Sequence, residues 1–236
     1  MTDSVVIWIA IFALVAVVAI AIASTLERQR REQLQAAAAR IHFSFSPQVE
    51  PSLLETLGLF HLFSQGHSRR IRNVMRGHVG DVVVTLFDYR YTTGGGKHSR
   101  IHRQTVALFE TERLQLPLFI LRPEHLLHKI AGTFGYQDID FESNSTFSDA
   151  YLLQGRDEDR IRGLFDEQVL AFYTRHSNLF TEGGGQRLVH YQAHRRIDPE
   201  RIEDFLQQGL DVLALYIEQG ESQDELFLLG LDLAAA

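Results

Sequence analysis

The 236 residues contain no cysteine, which excludes disulfides, thiolate metal sites and a cysteine nucleophile together. No serine sits in a G-x-S-x-G elbow, and no H-E-x-x-H helix or complete phosphate loop occurs. Charge is missing altogether between Asp3 and Glu27, and no Lys or Arg precedes that gap. The balance of charge is acidic, at -7, and no RNA- or DNA-binding motif is present, so nucleic acid is not an expected partner.

What fills the uncharged gap is a membrane segment. Val5 to Ala23 are nineteen consecutive residues drawn only from Val, Ile, Leu, Phe, Trp and Ala. Carried on through Leu26, the run makes roughly 33 Å of helix, enough to cross a hydrocarbon core of about 30 Å. A cleaved secretory signal is the competing reading, because Ala21-Ile22-Ala23 imitates a cleavage site. Against it stand the missing positive n-region and a run longer than an h-region. Arg28, Arg30 and Arg31 follow the run, so the positive-inside rule predicts an outside N-terminus and a cytoplasmic C-terminal domain.

Beyond the anchor, 22% charged and 10% aromatic residues describe a chain able to build a core. Strong helix formers up to Arg40 predict a helical stalk over 27–40. A strand is expected over Ile41–Ser46 and a short helix over Ser52–Phe60. Val82–Phe87 is apolar on both faces and Asp88–Tyr91 amphipathic. With Gly94-Gly95-Gly96 as the reversal and Gln104–Phe109 as the return, this predicts a long hairpin, and Arg70–Arg76 a neighbouring strand.

Further on, Leu116–Leu121 and Phe147–Gln154 read as strands, with Gln137–Phe141 alternating between them. Asp157 should cap a helix carrying Ile161, Leu164, Phe165, Val169 and Phe172 at helical spacing. Asn178–Phe180 and Arg187–Ala193 flank a second glycine run, Gly183-Gly184-Gly185, read as another glycine-tipped hairpin. Asp198-Pro199 opens a last helix, capped by Asp198, with an apolar stripe from Ile202 to Ile217. The expected organisation is a span at 5–26, a stalk at 27–40, a soluble domain at 41–218 and a tail at 219–236. A split into two sub-domains near Asn144 stays open.

Candidate chemistry is sparse. Gly96-Lys97 lacks the first glycine and the hydroxyl of a phosphate loop, since Tyr91 and His98 stand there, and it joins strand to strand. Glu124-His125-Leu126-Leu127-His128 has the wrong spacing for a zinc helix, and the pairs His98/His102 and His190/His194 share only strand faces. No metal and no cofactor is therefore expected. If the first hairpin pairs symmetrically about its glycines, Asp88 falls opposite His102; with Tyr89 and Arg90 these are the catalytic candidates, and a slip of one residue would part the pair. The basic stretch Gln65–Arg103, at +6 against -9 from Asp198 to the end, offers Arg69, Arg70, Arg72 and Arg76 as candidates for anionic lipid or phosphate.

Phe87–Gly94, Arg103-Gln104-Thr105-Val106 and Gln137–Phe141 together resemble a family of uncharacterised bacterial proteins with one N-terminal transmembrane helix and a soluble α+β domain. The resemblance implies an architecture and no site residues. The expected fold is α+β, a transmembrane helix followed by an antiparallel, hairpin-rich sheet with packed helices. The expected role is a non-catalytic interaction or scaffold module of a bacterial plasma (inner) membrane. It would bind the bilayer through 5–26 and engage a membrane protein complex. A membrane-tethered enzyme and an anionic-lipid module are the alternatives.

Overall fold

A computed structural model describes residues 2–48, 51–125, 138–141 and 144–228. The first element, α1, runs unbroken from Thr2 to Arg40. Its two ends live in different surroundings. From Ile7 to Leu26 every large apolar side chain is 44–74% exposed, so nothing in the fold covers them. A helix apolar all round and uncovered is long and apolar enough to cross a membrane. Past Glu27 the helix turns amphipathic, and Leu34, Ala37 and Ala38 are fully buried. The stretch expected as a stalk is thus docked on the domain. Its alanines suit it to this, because a methyl side chain lets helix and sheet backbones approach closely.

The expected strand at Ile41–Ser46 starts later, as β1 (Ser44–Gln48), because Ile41 and His42 are used to end α1. His42 takes φ +59°, and the N–H groups of His42 and Phe43 return to the carbonyls of Ala39 and Ala38. This Schellman cap satisfies the last carbonyls of α1 and turns Phe43 inward. Two short helices follow, α2 (Pro51–Thr56) and α3 (His61–Ser64), joined through a 3-10 turn at Leu57–Leu59.

The long hairpin comprises β3 (Val82–Thr93) and β4 (Arg100–Glu110), with β2 (His67–Val79) pairing on its outer side. Its register corrects the symmetric pairing. Asp88 lies opposite Thr105, and His102 lies opposite Tyr91. An offset of three residues is odd, so Asp88 and His102 point to opposite faces. The shift arises at the tip, where a 3-10 turn at Gly96–His98 adds residues to one side of the reversal. Strand β2 carries a bulge between Arg72 and Met75, where three residues span the length that two span on β3. Asn73 sits in it at φ +52°.

Strands β5 (Leu116–Pro123), β6 (Tyr151–Gly155), β7 (Phe180–Gly185) and β8 (Arg187–Tyr191) complete one antiparallel eight-stranded sheet, in the order β1-β2-β3-β4-β8-β7-β5-β6. The expected strand Phe147–Gln154 is half helix. The Asn144 side chain accepts from the Phe147 N–H at 3.1 Å and starts α4 (Ser145–Ala150), leaving only Tyr151–Gly155 for the sheet. The Asp157 helix is likewise two, α5 (Glu158–Leu164) and α6 (Glu167–Arg175), because Asp166 caps a second start at Gln168 and Val169. The expected stripe still holds across the break, with Ile161, Leu164, Phe165 and Val169 buried.

In the second hairpin Gly183 and Gly184 are paired strand residues, and the reversal falls at Gly185 (φ +59°) and Gln186. Gly183 is needed there because a Cβ would lie 2.2 Å from the Phe119 ring. The last helix, α7 (Ile202–Leu228), follows a 3-10 turn at Pro199–Arg201 without a side-chain cap from Asp198. Of the expected features, Gln137, His128 and the tail from Leu229 lie outside the described residues.

Two cores flank the sheet. On one face α1, α5, α6 and α7 cover residues such as Met75, Leu86, Ala107 and Phe119. On the other, Leu57, Phe60, Leu62 and Phe63 cover Ile71, Phe87, Tyr89 and Val106. Alternation along β3 therefore sends Leu86, Asp88 and Arg90 toward α1, and Phe87, Tyr89 and Tyr91 away from it.

Candidate functional site

The first polar side chain to enter the α1 face is Arg30. Its Nε and Nη2 donate to the two carboxylate oxygens of Asp88 at 2.9 and 2.8 Å, and Nη1 donates to the Ile197 carbonyl at 2.9 Å. Both side chains are about nine-tenths buried. Asp88 also accepts from Asn73 Nδ2 at 3.0 Å and from the Thr105 hydroxyl at 3.1 Å. The β2 bulge places Asn73 there, since strict alternation after Arg72 would have turned it to the other face. Thr105 is the cross-strand neighbour of Asp88, and its hydroxyl also accepts the Ile197 N–H. With these partners the carboxylate is fully engaged in a fork-to-fork pair that joins α1 to the sheet.

One turn nearer the membrane segment lies a cleft of about 120 Å³, lined by Glu27, Arg70, Arg72, Asp88, Arg90 and Arg103 and closed by Arg196. Strand pairing sets three of these arginines in a row across the sheet, Arg70 opposite Arg90 and Arg90 opposite Arg103. Like charges directly opposite one another are unfavourable, so the row calls for a compensating anion. The two acids at hand are taken. Glu27 holds Arg196 at 2.7 Å, and Asp88 holds Arg30. Arg70, Arg72, Arg90 and Arg103 form no ion pair with any described residue, and Arg90 Nε is buried with no acceptor among them. Burial first, and then the charges of Arg103, Arg70 and Arg72, pull the Arg90 pKa below its usual value.

The eight candidate residues thus separate. Arg70, Arg72, Asp88 and Arg90 share the α1 face. Tyr89 and His102 lie across the sheet, where Tyr89 stacks on Tyr91 and Tyr91 on His102. There His102 Nε2 meets the Thr93 hydroxyl at 2.7 Å and its Nδ1 meets His194 Nδ1 at 3.0 Å. Burial, aided by Arg100, lowers the His102 pKa. Arg69 instead braces the entry to β2 by donating to the carbonyls of Ser64, Gln65 and Gly66. Arg76 lies 3.8 Å from Glu110, which is also paired with Arg187. Asp88, Tyr89 and Arg90 all line the arginine cleft, whereas His102 does not.

Arg30, Asn73, Arg103 and Arg196 complete the α1 site; Arg30 and Arg103 stood out in sequence only as basic residues, and none of the four was a site candidate. A strand register would have found Arg103, whereas Arg30 lies 58 positions from Asp88 in the chain. A second polar cluster also went unforeseen. Glu182, 1% exposed, accepts from the Tyr191 hydroxyl at 2.9 Å and the Leu62 N–H at 3.0 Å, and burial pushes its pKa up to about 7. The space beside it is about 20 Å³, room for about one water. A wider open cleft of about 700 Å³ lies at the far end of β3, but its Asp81 and Glu110 are paired with Arg113 and Arg187. Among the described residues no three His, Asp or Glu side chains gather as metal ligands.

No family model and no curated protein matches the chain. Among solved structures, the crystal structure of the mycobacterial trehalose monomycolate transport factor A, TtfA, superposes with a TM-score of 0.58 over 81% of this chain and 94% of that one. The fold resembles that of TtfA. At 12% identity the likeness to TtfA is one of fold alone. It supports an α+β sheet domain, and residue roles do not follow from it.

Proposed function

We propose that the chain is a membrane-anchored, non-catalytic interaction module, held on the cytoplasmic face of a bacterial inner membrane, that acts on a membrane protein complex. The observation that carries this reading is the way α1 joins the domain. A span needed only as a tether would end in a free linker. Here the same helix continues onto the domain, where Leu34, Ala37 and Ala38 are buried, Arg30 locks to Asp88, and more exposed pairs join Glu27 to Arg196 and Arg40 to Glu203. Such a junction fixes the height and rotation of the domain relative to the bilayer, which matters for a surface that must meet another membrane protein. The arginines after the span support the cytoplasmic side. TtfA is named a transport factor, and a part in a membrane transport assembly is the process this reading favours.

The test is affinity isolation of the full chain from detergent-solubilised native membranes, after light crosslinking, beside an unrelated single-span protein. A partner recovered in stoichiometric amount, with loss of that partner when the exposed edge strand β1 is altered, is the expected result. A chain that runs alone at its monomer mass, crosslinked or not, would overturn the proposal.

A further inference from the structure

We infer that the arginine cleft beside α1 binds a phosphate group, presented by an anionic lipid headgroup. Four guanidinium groups without carboxylate partners, Arg70, Arg72, Arg90 and Arg103, converge there on three adjacent strands. Arginine forks match phosphate oxygens, and a buried Nε with no acceptor is the donor such an oxygen would satisfy. The cleft is small, about 120 Å³, which suits a phosphate. Glu27 attracts Arg90 at longer range, but Glu27 and Asp88 at the margin are each already ion-paired with another arginine, which leaves the row of four with an excess of positive charge.

Position favours the lipid source. Glu27, which lines the cleft, directly follows Leu26, the last of the exposed apolar run, and Arg30 comes one turn later. At about 1.5 Å per residue, Glu27 to Arg30 rises about 4.5 Å, which stays within the roughly 5–8 Å that headgroups occupy beyond the hydrocarbon. The cleft opens at the level of lipid phosphates. The lipid source rests on the anchored reading above, whereas the phosphate chemistry does not.

The full chain in neutral detergent is titrated with dioleoyl phosphatidylglycerol, dioleoyl phosphatidylcholine or sn-glycerol 3-phosphate, while the unfolding midpoint and the retained lipid are measured. Phosphatidylglycerol should raise the midpoint and phosphatidylcholine should not. Arg90→Gln and Arg103→Gln should each weaken retention about fivefold. The same two changes should raise the midpoint of the lipid-free chain, because they break the like-charge row. Arg76→Gln, outside the cleft, should keep the lipid response. A response to glycerol phosphate equal to that for phosphatidylglycerol upholds the phosphate site with a soluble source. No response to either anion, or one that survives the double Arg90→Gln/Arg103→Gln variant, overturns the proposal. Alkaline extraction of native membranes tests anchoring separately, since a chain released by alkali fails that reading whatever the titration shows.

Discussion

Arg30 and Asp88 illustrate how one pair can decide where a helix sits. Each is about nine-tenths buried, so each lost most of its hydration on folding, and the attraction between them is sustained by the further bonds from Asn73, Thr105 and the Ile197 carbonyl. Removing one member strands the other charge. Arg30→Met and Asp88→Asn should each destabilise the fold by about 3–5 kcal/mol. The double change Arg30→Met/Asp88→Leu should recover much of that loss, because no charge is then left buried. Thermal unfolding of the three variants in detergent checks this, and a double variant no better than the worse single one contradicts it. In the sequence Asp88 was one of two acids, with Asp81, in a basic stretch, but nothing local told that its partner was an arginine just past the apolar run. Long-range pairing of this kind is set by three-dimensional approach, which periodicity does not encode.

At the level of elements, legibility followed how local the governing interactions are. The N-terminal apolar helix, the β3–β4 hairpin and the stripe of α5 and α6 depend on runs and spacings within a few residues, and they stand where they were expected. The errors fell where two local signals competed. At Asn144 a side-chain cap overrode a strand-like run, and at Asp166 a second cap split one apparent helix. At His42 the helix end took residues that had the alternation of a strand. The docked half of α1 shows a further limit, since an alanine run reads equally well as an exposed stalk or a close-packed interface. Ala37, fully buried, distinguishes these outcomes experimentally. Ala37→Leu would be neutral on a free stalk. Against the sheet it should overpack the contact and cost about 1–3 kcal/mol, a fall of roughly 2–12 °C in the unfolding midpoint.

Across the whole molecule, the sheet draws neighbours from distant parts of the chain, with β8 seated beside β4 and β5 between β6 and β7. That order could not be read from pattern, and it buries titratable groups in consequence, among them His190, His61 and Glu182. Burial draws the pKa of His190 down to about 4 despite its bond to Gln208, and burial with Arg122 does the same for His61. Glu182 moves the other way, up to about 7. Between pH 6.5 and 4.5 the unfolded chain protonates both histidines while the fold holds them neutral, so acidification favours unfolding. Over the same window the fold keeps a proton on Glu182 that the unfolded chain gives up, which favours folding at the acid end and is lost as pH rises through 7. The two histidines oppose the one acid, and His102, whose pKa burial also lowers, adds to their side. Their net effect is a stability that falls on acidification in this range. Glu182→Gln removes the opposing group, and His190→Gln removes one of the histidines, so the first should steepen the slope by on the order of 1 kcal/mol per pH unit and the second should flatten it by as much. Denaturant unfolding of the full chain in detergent at half-unit steps from pH 4.5 to 7.5 measures both. Parallel curves for the parent and the Glu182→Gln variant would show that Glu182 is ionised in the fold, and that the bonds from Tyr191 and Leu62 outweigh its burial.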